Sequence, residues 1–432
     1  MSTQIQSPAR LNRSRIVVWG LFALTLIFAP IVFSSSLALT MLSEIGFVII
    51  VCLSYNILLG QGGMLSFGHA VYTGLGGFAA IHAMNMATSG STSVPLVVIP
   101  LVGGLAGACI ALILGYVTTK KSGTTFAMIT LGIGELVAAM ALMFPSVTGG
   151  DAGMTTNRTY GAPLLGLTFG PQIQVYYLIA AYCFVCTALM FAFTGTPLGR
   201  ILNAVRDNPE RVEFIGYNTQ LVRWYSFIVS GFFAGIGGGL AAINFEIVNS
   251  SDALSGLRSG SYLLFTFLGG ATVFFGPIIG AVLLVFASVL LSQLTKAWLL
   301  YLGLGFLFMV MFAPGGIASI VMMNLRVAKF GKFHRFWLLY LGLLVTAAVA
   351  VTGLAAIVEM SYHKQLNEAL GPVVKFVGIS LDTSRPASWL AAAALMLVGV
   401  GLLEVIRRRF THVWGEAQVE IEVEIKRTEQ LV

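Results

Sequence analysis

SLALTMLSEIGFVIIVCLSYNILLGQGGMLSFGHAVYTGLGGFAA, residues 36–80, carries a single charged side chain, Glu44. The sparseness extends outward: from Ile16 to Thr119, Glu44 is the only Asp, Glu, Lys or Arg. A soluble domain averages roughly 25% charged residues, whereas this chain of 432 residues is 9% charged and 57% hydrophobic, with a mean hydropathy of +0.90. Such a run has no polar exterior to offer water. Its apolar stretches are long and continuous rather than alternating, which excludes a β-barrel. The fold class is an all-α polytopic membrane protein.

Apolar spans fall at about 16–33, 38–60, 64–86, 94–117, 124–144, 175–194, 224–246, 261–275, 277–293, 297–320, 336–357 and 388–406, which gives about 12 transmembrane segments. The net charge of +7 does not point to nucleic acid, because the basic residues flank these spans. With the N-terminus inside, twelve crossings place Arg10–Arg15, Lys120/Lys121, Arg200–Arg223, Arg326–Arg335 and Arg407–Arg409 all on the cytoplasmic side. Both termini are then cytoplasmic. The first apolar run is too long for a usual signal-peptide core, so an uncleaved span is preferred to a cleaved leader.

Residues 261–293 are long for one span and short for two, and Gly269, Gly270, Gly276 and Pro277 break them centrally. A hairpin of broken or half-length helices fits, as in transporters whose freed backbone is covered by protein or water. The stretch 60–80 resembles 268–284 in placing Phe-Gly shortly after a glycine pair, a hint of internal repetition. The loops 146–173 and 247–259 fall outside and form a docking surface for anything arriving from that side.

No GxxxxGK[ST] loop is present, so the chain does not hydrolyse nucleotide by itself. GLGGFA and GIGGGL lie in spans, where glycines such as Gly235 and Gly239 let helices approach closely. Cys183 and Cys186 form a CxxC inside a span with no second pair, and read as inert core. No HExxH, His/Cys cluster, catalytic pair or nucleophile motif is visible, so no catalytic or metal-ligating residue is assigned. Glu44 and Glu135 lie furthest inside spans, and neither has an obvious Lys or Arg mate within the bilayer.

One compact segment departs from this greasy background: NAVRDNPERVEFIGYN, residues 203–218. Asn208 suits a helix cap, Pro209 the first helical position, Glu210 the positive end of the helix dipole, and Gly216 a left-handed stop. The spacing predicts a helix over Pro209–Ile215 of two turns, about 10 Å long. A helix that short needs a partner. Val212 and Ile215 share one face, Arg211 and Glu213 point elsewhere, and a helix with apolar and charged faces suits a groove on another protein.

The segment TPLGRILNAVRDNPERVEFIGYN resembles the cytoplasmic coupling loop of ABC importer permeases of the branched-chain amino acid type. Gly199, Arg200, Ala204, Arg206, Asp207, Asn208 and Gly216 fit that family's pattern. Glu210 and Gly216 keep the general importer spacing, although Arg211 and Val212 replace its alanines. Blocks at 54–80, 124–136, 148–154, 268–281 and 312–317 resemble the family's membrane blocks in order, and the subtype most similar is the LivM-like inner-membrane subunit. The resemblance implies a permease in the bacterial inner membrane that forms half of a path for branched-chain or hydrophobic amino acids. It implies a homologous second permease, two ATPase subunits that bind ATP and Mg on the cytoplasmic face, and a periplasmic substrate-binding protein. The coupling helix, with Pro209, Arg211, Val212 and Glu213 added to the matched residues, transmits ATPase motion to the spans. Asn56, Gln61, Ser66, His69 and Glu135 are the candidates for lining the path. Urea, amides or small aromatic acids are alternative cargoes within the family, and an ion-coupled secondary carrier is the alternative outside it.

The resulting organisation is a cytoplasmic N-terminus 1–15, a permease core 16–320 with its coupling loop at about 196–222, a basic loop 321–335, an additional hairpin 336–406 and a cytoplasmic tail 407–432. The family often ends near the 312–317 block, so the hairpin and tail are a departure. The tail alternates acids with Val and Ile from Val419, and reads as a short strand against a partner or, preferably, a disordered end.

Overall fold

The computed structural model describes residues 13–90, 94–160, 168–313, 315–331, 333–366, 372–376 and 379–430. Most of the expected N-terminal segment 1–15, and parts of the 146–173 loop and of the 336–406 hairpin, lie outside the described residues. In chain order the elements are α1 (Arg13–Val32), α2 (Ser36–Asn56) continuing through a π turn at Ile57–Gln61, α3 (His69–Thr88), α4 (Ile99–Thr118), α5 (Gly123–Met143) and the single turn α6 (Pro145–Thr148). Next come β1 (Met154–Thr155), α7 (Gln172–Gly195), α8 (Pro197–Asp207), α9 (Pro209–Phe214), α10 (Thr219–Phe245), β2 (Ile247–Val248), α11 (Ser250–Ala253) and α12 (Gly256–Gly269). α13 (Gly276–Phe286) runs through a π turn at Ala287–Leu291 into α14 (Ser292–Leu294). α15 (Trp298–Phe312), α16 (Gly316–Lys329), α17 (Trp337–Leu366), β3 (Val373–Phe376), β4 (Ile379–Asp382) and α18 (Pro386–Gln430) complete the chain.

Among the described residues, eight helices are long and apolar enough to cross a membrane, or nine when α15 and α16, bent by 47°, count as one broken span. The count is lower than the twelve expected. The shortfall has physical causes. Apolar α1 shrinks to Ile16–Val32. α12 has 14 residues, about 21 Å of helix against a hydrocarbon core of about 30 Å. α3 is rich in Gly, His and Thr and buries most of its length inside the protein, so it needs no apolar exterior.

The chain divides into two compact units, Met1–Val289 with Met309–Ala318 and Leu290–Phe308 with Ser319–Val432. In the first, α10 is packed against α2, α3 and α4. Glycines make this possible. A Cβ on Gly235 would stand 2.2 Å from the carbonyl oxygen of Gly103, and one on Gly238 would stand 1.8 Å from that of Thr73. Small residues let backbones touch where lipid gives helices no hydrophobic reason to associate. α1 lies on α7 through Trp19, whose ring is 5.7 Å from Phe184 and 5.6 Å from Phe191. The break expected inside 261–293 falls at residues 270–275, where Gly270 takes φ +116° and α12 turns back into α13. α3 and α13 both begin at the Phe-Gly pair shared by the two glycine-rich stretches, Gly68 and Gly276 respectively marking the start.

The 146–173 and 247–259 loops are one structure. β1 pairs antiparallel with β2, Met154 opposite Val248. Arg158 donates from its backbone to the Glu246 carboxylate at 2.9 Å and from its guanidinium to the Gly170 carbonyl at 3.0 Å. Tyr160, in the same loop, donates its hydroxyl to Val94 O at 3.0 Å, and burial pushes its pKa up to about 12.

The second unit holds α17, α18 and the hairpin of β3 and β4. It corrects the reading of the tail. Residues 407–430 continue α18 without a break, neither a strand nor a disordered end. The alternating Val and Ile suggested a period of two. The residues that bury are instead Ala417 and Ile421, against Val327 and Phe336, with Phe410 and Trp414 beside them. Positions 410, 414, 417 and 421 form one helical stripe.

Candidate functional site

The segment from Thr196 to Asn218 is a chain of caps. Thr196 accepts a hydrogen bond from Gly199 N at 3.2 Å, Asn208 Oδ1 one from Arg211 N at 3.0 Å, and Asn218 Oδ1 one from Leu221 N at 3.1 Å. Each satisfies a free donor of the helix that follows. α9 ends where Tyr217 N reaches back to Val212 O at 3.2 Å and Gly216 takes φ +94°, the left-handed closure that glycine adopts freely. The helix covers Pro209–Phe214, one residue short of the expected Pro209–Ile215. Glu213 accepts from the Thr219 hydroxyl at 2.7 Å and ties α9 to α10.

α8 presses Gly199, Leu202 and Val205 inward. Gly199 is required there, because a Cβ would stand 2.4 Å from Phe193 O at the end of α7. Two contacts fasten α8 to the π turn that ends α2: Asn203 Nδ2 donates to Gln61 Oε1 at 2.9 Å, and the Arg206 guanidinium donates to Gly60 O. Arg206 also pairs with Asp207 at 2.9 Å. Arg200, Ala204, Asp207, Glu210 and Arg211 are exposed.

The apolar face of α9 differs from the sequence reading. Val212 is 4% exposed and packs into its own chain, while Phe214 and Ile215 are 91% and 74% exposed. Val212 therefore does not share a partner-facing surface with Ile215. Phe214, which the i, i+3 pattern passed over, takes its place. Phe214 is two residues from Val212, about 200° round the helix, so packing Val212 against α8 and α10 turns Phe214 outward, and Ile215 already lies past the end of α9.

The five candidates for the path separate. Asn56, Ser66 and His69 are buried where α2 meets the start of α3. Asn56 Nδ2 donates to Ala271 O at 2.7 Å, and the Tyr55 hydroxyl donates to Ser66 O at 2.7 Å. Ser54 donates its proton to Val51 O, so at 2.9 Å His69 Nε2 is the donor to Ser54 Oγ. Among the described residues, Asn56 Oδ1, Ser66 Oγ and His69 Nδ1 are buried without a hydrogen-bond partner. Gln61 belongs with α8, as described above. Glu135 is exposed on α5, its Oε1 standing 2.8 Å from where a Cβ on Gly256 would be.

A second polar group lies at the other end of α2. Thr266 donates to Cys52 O at 3.4 Å and Asn56 to Ala271 O, so α12 runs in the same direction as α2. Its first turns then come back toward Glu44, and Arg258 lies within electrostatic reach of Glu44, Asp252 and Tyr262. The Arg258 guanidinium pairs with Asp252 at 3.2 Å. Arg258 is thus the basic residue that the fold brings toward this end of α2, and its ion pair is with Asp252. Arg258 and Tyr262 were missed in the sequence reading. Their spacing of four places them on one helix face, the only local signal available. A half-open cleft lined by Phe47, Val51, Thr73, Val248, Arg258 and Tyr262 lies here. From Glu44 to Gly60 is 16 residues, about 24 Å of helix, so this cleft and the α8–α9 segment occupy opposite ends of α2. Among the described residues no group of His, Cys, Asp and Glu is arranged to hold a metal ion. The four cysteines are free.

Residues 37–314 match a family model described as branched-chain amino acid transport system / permease component. The high-affinity branched-chain amino acid transport system permease protein LivM of Escherichia coli (strain K12) is 26% identical over 307 residues, covering 65% of this chain and 69% of its own length. LivM of Salmonella typhimurium gives the same identity and coverage. The guanosine ABC transporter permease protein NupQ of Bacillus subtilis (strain 168) is 27% identical over 140 residues, 29% of this chain and 43% of its own. No solved structure matches.

Proposed function

Because the chain belongs to the family of branched-chain amino acid transport system permease components, we propose that it is one membrane-spanning subunit of an ATP-driven importer for branched-chain or other hydrophobic amino acids. It is a multi-pass inner-membrane protein. A homologous second permease completes the path, two ATPase subunits that bind ATP and Mg dock on the α8–α9 side, and a periplasmic binding protein delivers cargo to the other. Both termini face the cytoplasm in this reading. α1, α3 and α12 join the nine apolar spans as short or protein-covered members, giving twelve.

The observation that carries the reading is α9. It is capped at both ends, fastened to the end of α2 through α8, and presents Phe214 and Ile215 to solvent. Its neighbours move with it. Force applied there reaches the π turn at Ile57–Gln61 directly. Gly199, Arg200, Ala204, Arg206, Asp207, Asn208, Pro209, Glu210, Arg211, Val212, Glu213 and Gly216 are its working parts, Val212 as internal support. An ion-coupled carrier has no use for such an element.

The test is uptake of labelled leucine by native cells against a strain lacking this chain, with ATP depletion and dissipation of the proton gradient as separate arms. Loss on ATP depletion alone supports the importer. Uptake that survives ATP depletion and follows an ion gradient sinks it. Urea, an amide and a small aromatic acid run in the same assay decide whether the cargo is an amino acid.

A further inference from the structure

Resting on the importer reading, we propose that Arg258 receives the carboxylate of an incoming zwitterionic amino acid at the mouth of its cleft, displacing Asp252. An arginine on a helix of the membrane-spanning part is expensive unless paired or functional. Its partner here is a poor permanent one: the Asp252 side chain is 67% exposed, that of Arg258 31%. Exposed ion pairs contribute little, so a solute carboxylate can compete for the guanidinium, whose planar fork suits bidentate binding.

The charges also select. The Asp252 carboxylate stands 3.2 Å from the guanidinium, so the pair has no surplus positive charge to draw in a simple anion, and a solute without a carboxylate has nothing with which to displace Asp252. Tyr262 and Thr73 add hydroxyls, and Phe47, Val51 and Val248 give an aliphatic side chain an apolar wall. A neutral solute such as urea or a nucleoside makes no use of the guanidinium. The cleft lies about 24 Å of helix from the α8–α9 segment, at the end where cargo enters in the importer reading.

Leucine uptake by native cells carrying chromosomal variants tests this, with membrane abundance measured by immunoblot. Arg258→Met is expected to lower leucine uptake about tenfold or more at equal abundance, the loss of a charge-assisted bond, and Arg258→Lys to restore part of it. Asp252→Asn, at an exposed position, is expected to lower the KM for leucine severalfold by removing the competitor. Leucinamide, which lacks the carboxylate, is expected not to compete with leucine. Wild-type leucine uptake in Arg258→Met, or an unchanged KM in Asp252→Asn, overturns the Arg258 assignment and leaves the importer reading intact. If Arg258→Met fails to insert, the Asp252→Asn KM decides. ATP-dependent uptake of guanosine or urea without leucine uptake in the wild type overturns the amino acid reading and this proposal together.

Discussion

Replacing Phe214 with Ala separates the two roles available to α9, because the side chain touches almost nothing in this chain. At 91% exposure, a phenylalanine that buries about 200 Å² in a full interface has roughly 180 Å² left to bury. At about 25 cal/mol per Å² that is an upper bound near 4.5 kcal/mol. Ordering and imperfect fit take away about half, leaving roughly 2 kcal/mol, or about a 30-fold weaker dock. The stability of the chain itself should stay within about 0.5 kcal/mol, as for surface substitutions generally. The assay is co-purification of ATPase subunits with the detergent-solubilised chain, alongside thermal unfolding of the same preparation and ATP-dependent uptake in cells. Val212→Ala is the control: buried at 4%, it should lower the unfolding temperature and weaken docking together. Unchanged ATPase recovery and uptake in Phe214→Ala would refute the coupling role of this face, whatever the family resemblance.

Three further outcomes follow from the geometry. Asn208→Ala removes the oxygen that accepts from Arg211 N and should destabilise α9 by about 1 kcal/mol; faster protease cleavage near residue 211, reversed in Asn208→Asp, checks it. Gly235→Val places a side chain 2.2 Å from Gly103 O. It should prevent α4 and α10 from packing, seen as aggregation on size-exclusion chromatography, whereas Gly132→Ala, with open space around it, should elute normally. Ile421→Asp puts a charge where Ile421 is 1% exposed against Phe336; trypsin should then cut after Arg407–Arg409 sooner than in the wild type, with uptake as the second readout.

Much of the architecture is readable wherever the signal is local. Glycine and proline placed the break at 270–275, and Asn208, Pro209 and Gly216 bounded α9 to within one residue, because caps and breaks depend on a few adjacent side chains. What failed needed distant partners. Glu44 and Arg258 are 214 positions apart, and nothing near either residue announces the other. Val212 faces inward and Phe214 outward because contacts with α8 and α10, not the i, i+3 count, decide which side of α9 is covered. The tail misled through period: isoleucine and valine at every second position also suit a helix, provided that an aromatic stripe at Phe410 and Trp414 has a place to dock. α3 was counted with the apolar spans, although its polar residues are accommodated by protein on most sides.

α18 has a mechanical consequence. It runs 45 residues, about 68 Å along its axis, while the hydrocarbon core takes up about 30 Å. The 24 residues from Arg407 to Gln430 amount to about 36 Å of rod beyond the apolar stretch. A rod of that length magnifies. Because Phe410 to Ile421 are docked on Val327 and Phe336, a tilt of about 10° that carries the tip some 6 Å sideways takes that contact with it. Small rearrangements of α17 and α18 within the bilayer would thus be displayed, enlarged, well out into the aqueous phase.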